Sequence, residues 1–449
     1  MSDSATTAVF GSYVLAEEDG TPVVLRDHWV TIEGSRIAAV GRGRPRAGLV
    51  LDRPGRIVLP GLLNLHNHCY SEGIARTHTD DSEQSLDDLI YRVLMPLSLR
   101  GIEMLSAGER LAVARLGILQ LIKGGSATVM EPFRDGIPEM FDAASEMGLR
   151  FYGAPYVYSD PHESSSDSYD RWNALHARWD GEDEGRIRVA MSPHATDTCG
   201  QDLLRLAVGR ARELGTPITL HLAQSAQEVA AIAERASGRT PAEYLDWLGV
   251  LGPDLLAAHC VRCTDDDLDL MARRDVTVLN CPRTLARAGV PAPYARFASR
   301  GVRTVVATDG YDMDLLGELG AAAMLSKCLA GRSDVATAPE LIRAVTRDAA
   351  AALNRPDLGR ICAGAAADVT IVDLSHPHLQ PLHDPLRALV ALANRANIDG
   401  VMVAGRLLLN EGRLLAADED DIVASGAAAI RRVWEHPESR SALRLDDLR

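Results

Sequence analysis

The rhythm of apolar and polar positions changes twice along the chain. Up to residue 57, short apolar runs such as VTIEGSRIAAVG and RIVLPG are broken by Gly, Pro and Asp, a texture that predicts hairpins. From Asp368 it returns in DVTIVDL and DGVMVAGRLLLNEGRL. Between the two, apolar runs of strand length alternate with amphipathic helical stretches, which predicts βαβ units and parallel strands. Eight strands are expected: 57–64, 126–132, 150–158, 187–195, 217–223, 255–261, 276–282 and 303–310. Eight is the number of a (β/α)8 barrel.

The expected architecture is therefore α/β, a distorted (β/α)8 TIM-like barrel over 58–358 with a small β-sandwich domain built from 1–57 and 359–415. Residues 416–449 would follow as a C-terminal helix and tail. GERLAVARLGILQLIKGG, before the second strand, has apolar residues at helical spacing and a glycine stop. Residues 69 to about 105 form a long insertion after strand one, placed where a barrel carries a lid. DEDDIVASGAAAIRRVWEH reads as an amphipathic helix with acids at its start, and PESRSALRLDDLR as a poorly ordered end.

Composition narrows the partners. A formal charge of −15, with no Lys/Arg run to neutralise phosphates, argues against nucleic acid and anionic membranes. No basic segment leads into an apolar one at the N-terminus and no apolar stretch is long enough to span a bilayer, so a cytoplasmic protein is expected. Seven scattered cysteines read as reduced thiols. Cys260 and Cys263 form a CxxC, but a zinc ribbon needs a second pair, so they read as small residues at a strand end.

The C-terminal ends of barrel strands share one mouth, so polar residues ending different strands converge there. Strand one ends in LHNH, and the two-residue period of a strand puts His66 and His68 on one side. Strands four, five, six and eight end at His194, His221, His259 and Asp309. Imidazole and carboxylate suit a divalent ion such as Zn²⁺, which lowers the pKa of a water from about 15.7 to near 7. A further His can orient that water, and an Asp can take its proton.

LPGLLNLHNH, SPHATDTC, HLA at 221–223, LAAHCV, NCP and ATDG, in this order, resemble the amidohydrolase superfamily. The branch is similar to that of triazine hydrolases and of cytosine, guanine and S-adenosylhomocysteine deaminases. The resemblance implies that His66, His68, His221 and Asp309 hold one Zn²⁺, less often Fe²⁺, that His259 contacts the attacking water and that His194 faces the substrate. It also implies a homodimer or larger assembly acting on a small molecule. Binuclear relatives carry a carboxylated lysine at the end of strand four; IRVAMSPHA has none, which implies one metal.

The sequence departs from the branch at one position. Its deaminases usually carry HxxE after strand five, the Glu shuttling protons, whereas here HLAQ places Gln224, an amide that exchanges no proton at physiological pH. Three readings stay open. Gln224 orients the substrate while Asp309 and His259 handle the protons of a C–N cleavage, whether deamination, amine release or ring opening. Alternatively, another acid takes over, from Glu72, Glu131, Glu228, Asp312 or Asp314. Or the chain keeps fold and metal as a catalytically impaired ligand-binding homologue. For substrate contacts the sequence offers His194, Gln224, Glu131, Arg76, Tyr311, Asp312 and Arg283, a set that suits a nitrogen-rich heterocycle or related amidine or amide.

Overall fold

The structure is a computed structural model that describes residues 6–71, 74, 85–133, 138–159, 165–310 and 312–442. Its two ends form one sheet. Strands β1 (Thr6–Glu18), β2 (Thr21–Glu33), β3 (Arg36–Gly41) and β4 (Leu49–Pro60) supply half of it. β4 then pairs antiparallel with a strand from the far end of the chain, Pro60 lying opposite Val369.

The middle of the chain carries the parallel strands: β5 (Leu62–Asn64), β6 (Ser126–Phe133), β7 (Arg150–Val157), β8 (Ile187–Val189), β9 (Ser192–Pro193), β10 (Ile218–Leu222), β11 (Leu255–His259), β12 (Thr277–Asn280) and β13 (Arg303–Val306). They are β-branched and apolar runs buried on both faces, every residue of β6, β7, β10, β11 and β12 being buried, as strands covered by helices require. β5 to β8 form one parallel sheet, with β9 on β7, and β10 to β13 form another. Single parallel bridges link them at both seams: Met191 with Ile218 and Ala195 with His221 on one side, Asn67 with Asp309 on the other.

Strand one, expected to run continuously over 57–64, is broken at Gly61. Residues up to Pro60 belong to β4 and the terminal sheet, and β5 begins at Leu62. A Cβ at Gly61 would lie 2.7 Å from the Ala127 Cβ and 2.8 Å from that of Asp368, so only glycine lets the chain cross between the two layers here. The same junction holds a buried ion pair: Arg150 donates to both carboxylate oxygens of Asp368, at 2.7 and 2.9 Å.

Beyond Asp368 come β14 (Val369–Asp373), β15 (Ile398–Val403), β16 (Arg406–Asn410) and β17 (Arg413–Leu414), which complete the eight-stranded sheet in the order β17-β16-β15-β14-β4-β1-β2-β3. Helix Ala107–Lys123 opens with a Ser106/Glu109 capping box. Helix Glu419–Glu435, capped by Asp418, crosses it closely enough that a Cβ on Gly426 would meet Leu116 at 2.8 Å. The end expected to be poorly ordered is helical in its described part: Pro437–Ala442 is tied down by Arg100, which pairs with Glu438 and donates to the buried Ser439 hydroxyl at 3.2 Å. The insertion after strand one is helical in its described part, Leu86–Asp88, a π-helical turn Leu89–Leu94, and Met95–Met104. No helix among the described residues is long and apolar enough to cross a membrane.

Candidate metal centre and substrate pocket

His66 and His68 leave β5 on the same side, and Asp309 is stapled between them through its backbone. His68 N donates to Asp309 O at 3.0 Å, and Asp309 N donates to His66 O at 2.9 Å. Asp309 holds φ +57° and His259, ending β11, holds φ +73°, a left-handed region that costs a non-glycine residue about 1–3 kcal/mol and persists only where surrounding bonds impose it.

The imidazoles are oriented from behind. His68 Nδ1 lies 3.0 Å from Pro132 O, and His221 Nδ1 lies 2.9 Å from His194 O. A carbonyl only accepts, so both rings carry their proton on Nδ1 and turn an Nε2 lone pair inward. Those two Nε2 atoms lie 3.4 Å apart, and Asp309 Oδ1 lies 3.3 Å from His68 Nε2 and 3.5 Å from His66 Nε2. His66 is fully buried, with neither ring nitrogen hydrogen-bonded among the described residues. Two inward lone pairs from His68 and His221, a buried His66 and a carboxylate gathered at one point suit a cation, and three imidazoles with one carboxylate fit a single zinc. Burial pushes His68 down to about 3 and lowers His66, His221 and His259 too, so all four rings are neutral, the form that ligates.

His259 stacks on His221 with ring centres 5.4 Å apart, and its buried Nδ1 has no partner among the described residues. A second grouping, which the sequence reading missed, joins His66 and His259 to Cys281. Its thiol is raised by burial, and the carboxylate beside these rings is that of Asp309. The signal was NCP at the end of strand seven.

The residues around this centre line a cleft of about 840 Å³ including its open mouth, among them His68, His194, His221, Gln224, His259 and Asp309. The sequence profile of the amidohydrolase family matches residues 57–408. The chain belongs to the amidohydrolase family. It is 32% identical, over 93% of its length and 95% of the relative's, to 5-methylthioadenosine/S-adenosylhomocysteine deaminase from Halobacterium salinarum. It is also 32% identical, over 89% and 93%, to 5′-deoxyadenosine deaminase from Methanothermobacter thermautotrophicus. Among solved structures, it superposes on a zinc-bound adenosine deaminase from Xanthomonas campestris with a TM-score of 0.87 and 27% identity, covering 95% of this chain and 98% of that one. As an amidohydrolase the chain is an enzyme of non-peptide C–N bonds.

Within this amidohydrolase pocket, His194 packs edge-on against Tyr156 at 4.7 Å and accepts or donates at Nδ1 to the Thr198 hydroxyl, 2.8 Å away. Gln224 follows β10, with its backbone N–H on Glu228 at 2.9 Å and its side chain on the wall. The other proposed acids turn elsewhere. Glu131 is 0% exposed and does not line the pocket: its carboxylate accepts from Cys69 Sγ at 2.7 Å and Tyr70 N at 3.1 Å, bracing the metal-site loop from behind. Glu228 is buried between Thr196 Oγ1 and Gln224 N, at 2.5 and 2.9 Å. Burial raises both carboxyls to about 7.

Asp312 also leaves the pocket, drawn into ion pairs with Arg283 and Arg395. Arg283 is engaged in turn by Asp312 and by Glu318, which accepts from its backbone N at 3.1 Å; Asp314 caps the helix Leu315–Ala330. Glu72, Arg76 and Tyr311 lie outside the described residues. The seven cysteines, Cys260 and Cys263 included, are free thiols.

Proposed function

We propose that this amidohydrolase is a mononuclear metal-dependent aminohydrolase that releases ammonia or a substituted amine from an adenosine-like or related nitrogen heterocycle. The observation that carries the reading is the gathering of His66, His68, His221 and Asp309 at the floor of a cleft walled by Gln224 and His194. The names of the relatives, deaminases of adenosine derivatives, support the substrate class.

A bound zinc would supply Lewis acidity and a water acidic enough to ionise near neutral pH. Asp309, which would hold the metal together with His66, His68 and His221, would also offer its carboxylate as the base for the attacking water's proton. His259, held neutral by burial, stabilises negative charge developing at the attacked carbon's substituent. Gln224 donates its amide N–H to a ring acceptor and fixes the heterocycle's orientation, but transfers no proton. The leaving amine therefore takes its proton from Asp309, which suits an amine basic enough to need little help. A ring-opening or other non-deaminating hydrolysis is the second reading, favoured by the same Gln224.

The two parallel sheets, bridged at both seams, are read as one distorted (β/α)8 barrel, and the terminal sheet as the small β-sandwich domain. The division into 1–57, 58–358, 359–415 and 416–449 and a cytoplasmic homodimer or larger assembly belong to the same proposal.

Metal analysis with an amine-release screen tests it, on the native chain and on Gln224→Glu, with 5′-methylthioadenosine, 5′-deoxyadenosine and alkylaminotriazines. Release that chelator abolishes and zinc restores is the expected result. A purified chain that binds zinc and releases no amine, even as Gln224→Glu, would instead be the impaired binding homologue, and one that binds no divalent metal would overturn the metal site.

A further inference from the structure

The wall of the pocket away from the metal centre is hydrocarbon. Leu86, Leu89, Ile90, Leu94 and Met95 line it from the single helical segment after strand one, and Leu285 faces them. Leu86, Ile90 and Leu285 pack together as one cluster. Ser98 is the segment's one polar residue on the lining, while the polar groups of Asp87 and Tyr91 are engaged away from the cleft. Asp87 accepts from Gln227 N at 3.0 Å and from Ala226 N at 3.4 Å, and the Tyr91 hydroxyl donates to Asp197 at 3.1 Å. The π-helical turn Leu89–Leu94 thus presents only its apolar face to the pocket, and such turns concentrate at functional sites.

Among the described residues that line the cleft there is no Arg, Lys or Glu, and the ionisable ones are Asp309, Tyr156 and the four histidines His68, His194, His221 and His259. The Thr284 hydroxyl is already spent on Thr308 O at 3.1 Å. The guanidinium of Arg283, one residue away in sequence, is paired with Asp312 at 3.1 Å and lies 3.8 Å from Glu318. Among the described lining residues a charged substituent would lose its water and meet no Arg or Lys to pair with, whereas an alkyl or aryl group would gain from every square ångström it covers.

We infer that the substrate is an uncharged aminoheterocycle whose substituent remote from the scissile C–N bond is apolar, an alkyl, thioalkyl or aryl group, and that a carboxylate-bearing or zwitterionic tail is selected against. The inference rests on the aminohydrolase reading for the reaction, but its binding consequence does not depend on turnover.

The test compares neutral 5′-methylthioadenosine with S-adenosylhomocysteine, and an N-alkyl aminotriazine with its carboxyalkyl counterpart, on the zinc-loaded protein. Calorimetry gives Kd and amine release gives kcat and KM. The neutral member of each pair is expected to bind at least roughly tenfold tighter, the discrimination appearing in KM. Leu94→Ala should weaken the neutral ligands about tenfold, and Leu94→Arg should narrow or invert the preference by supplying a partner for the carboxylate. Equal or tighter binding of the charged members overturns the inference, as does failure of all four compounds to bind. Neutral preference in Kd without any amine release upholds the inference and overturns the aminohydrolase reading alone.

Discussion

Replacing Glu131 tests whether the metal-site loop is held by a buried carboxyl or merely lies beside it. Three consecutive residues of β6 grip that loop: Met130 O accepts from Asn67 Nδ2 at 3.0 Å, Glu131 from Cys69 and Tyr70, and Pro132 O from His68 Nδ1 at 3.0 Å. Glu131→Ala leaves the buried Tyr70 N–H without its acceptor, about 1–3 kcal/mol, and a void worth about 1 kcal/mol more. A loss of roughly 2–4 kcal/mol follows from those two terms.

The carboxyl adds a pH dependence of known sign. Burial raises it from 4.5 to about 7 against the hydrogen bonds from Cys69 and Tyr70, so the fold prefers the protonated form. Its share of stability is fully present below pH 4.5 and is lost as pH rises through about 7. At 1.36 kcal/mol per unit the swing is at most about 3 kcal/mol. Glu131→Gln removes the titration, so it should compare worst with the parent near pH 5 and improve on it toward pH 8. Urea unfolding of the metal-free protein at both pH values measures this. An Ala variant within about 0.5 kcal/mol of the parent, or a Gln variant whose difference is the same at both pH values, refutes the reasoning.

Two further outcomes are expected. Arg150→Ala strands the buried Asp368 carboxylate and should cost about 3–5 kcal/mol in urea unfolding, while Arg150→Met with Asp368→Leu recovers most of the loss. Zinc added to chelator-stripped protein at a hundred times its Kd should stabilise the fold by about 2.7 kcal/mol, and Asp309→Ala should abolish that gain; an undiminished gain would move the metal elsewhere.

The parallel strands were legible because strands buried on both faces leave unbroken apolar runs, and the convergence of His66, His68, His221, His259 and Asp309 because strand ends share a mouth. The reading went astray where a side chain's direction is decided after the strand ends. Glu131 stands at the mouth by position, yet the Cys69 and Tyr70 loop captures its carboxyl. Asp312 follows the metal-site Asp309, yet Arg283 and Arg395 pull it away. Neither competitor is near in sequence. Gly61 broke strand one because of contacts with Ala127 and Asp368, which no local pattern encodes. The apolar roof escaped notice because a π-helical turn departs from helical spacing, and because the start of the insertion is conspicuously polar.

The pairing of β4 with β14 also bears on how the chain is born. β4 leaves the ribosome early, but its neighbour begins at Val369, after the whole parallel-stranded region. At elongation rates of about 5–20 residues per second an open strand edge therefore waits on the order of tens of seconds for its partner. Over that interval nascent chains on one polysome present identical sticky edges to each other, which makes the yield of this enzyme sensitive to translation speed and to chaperones that shield unpaired strands.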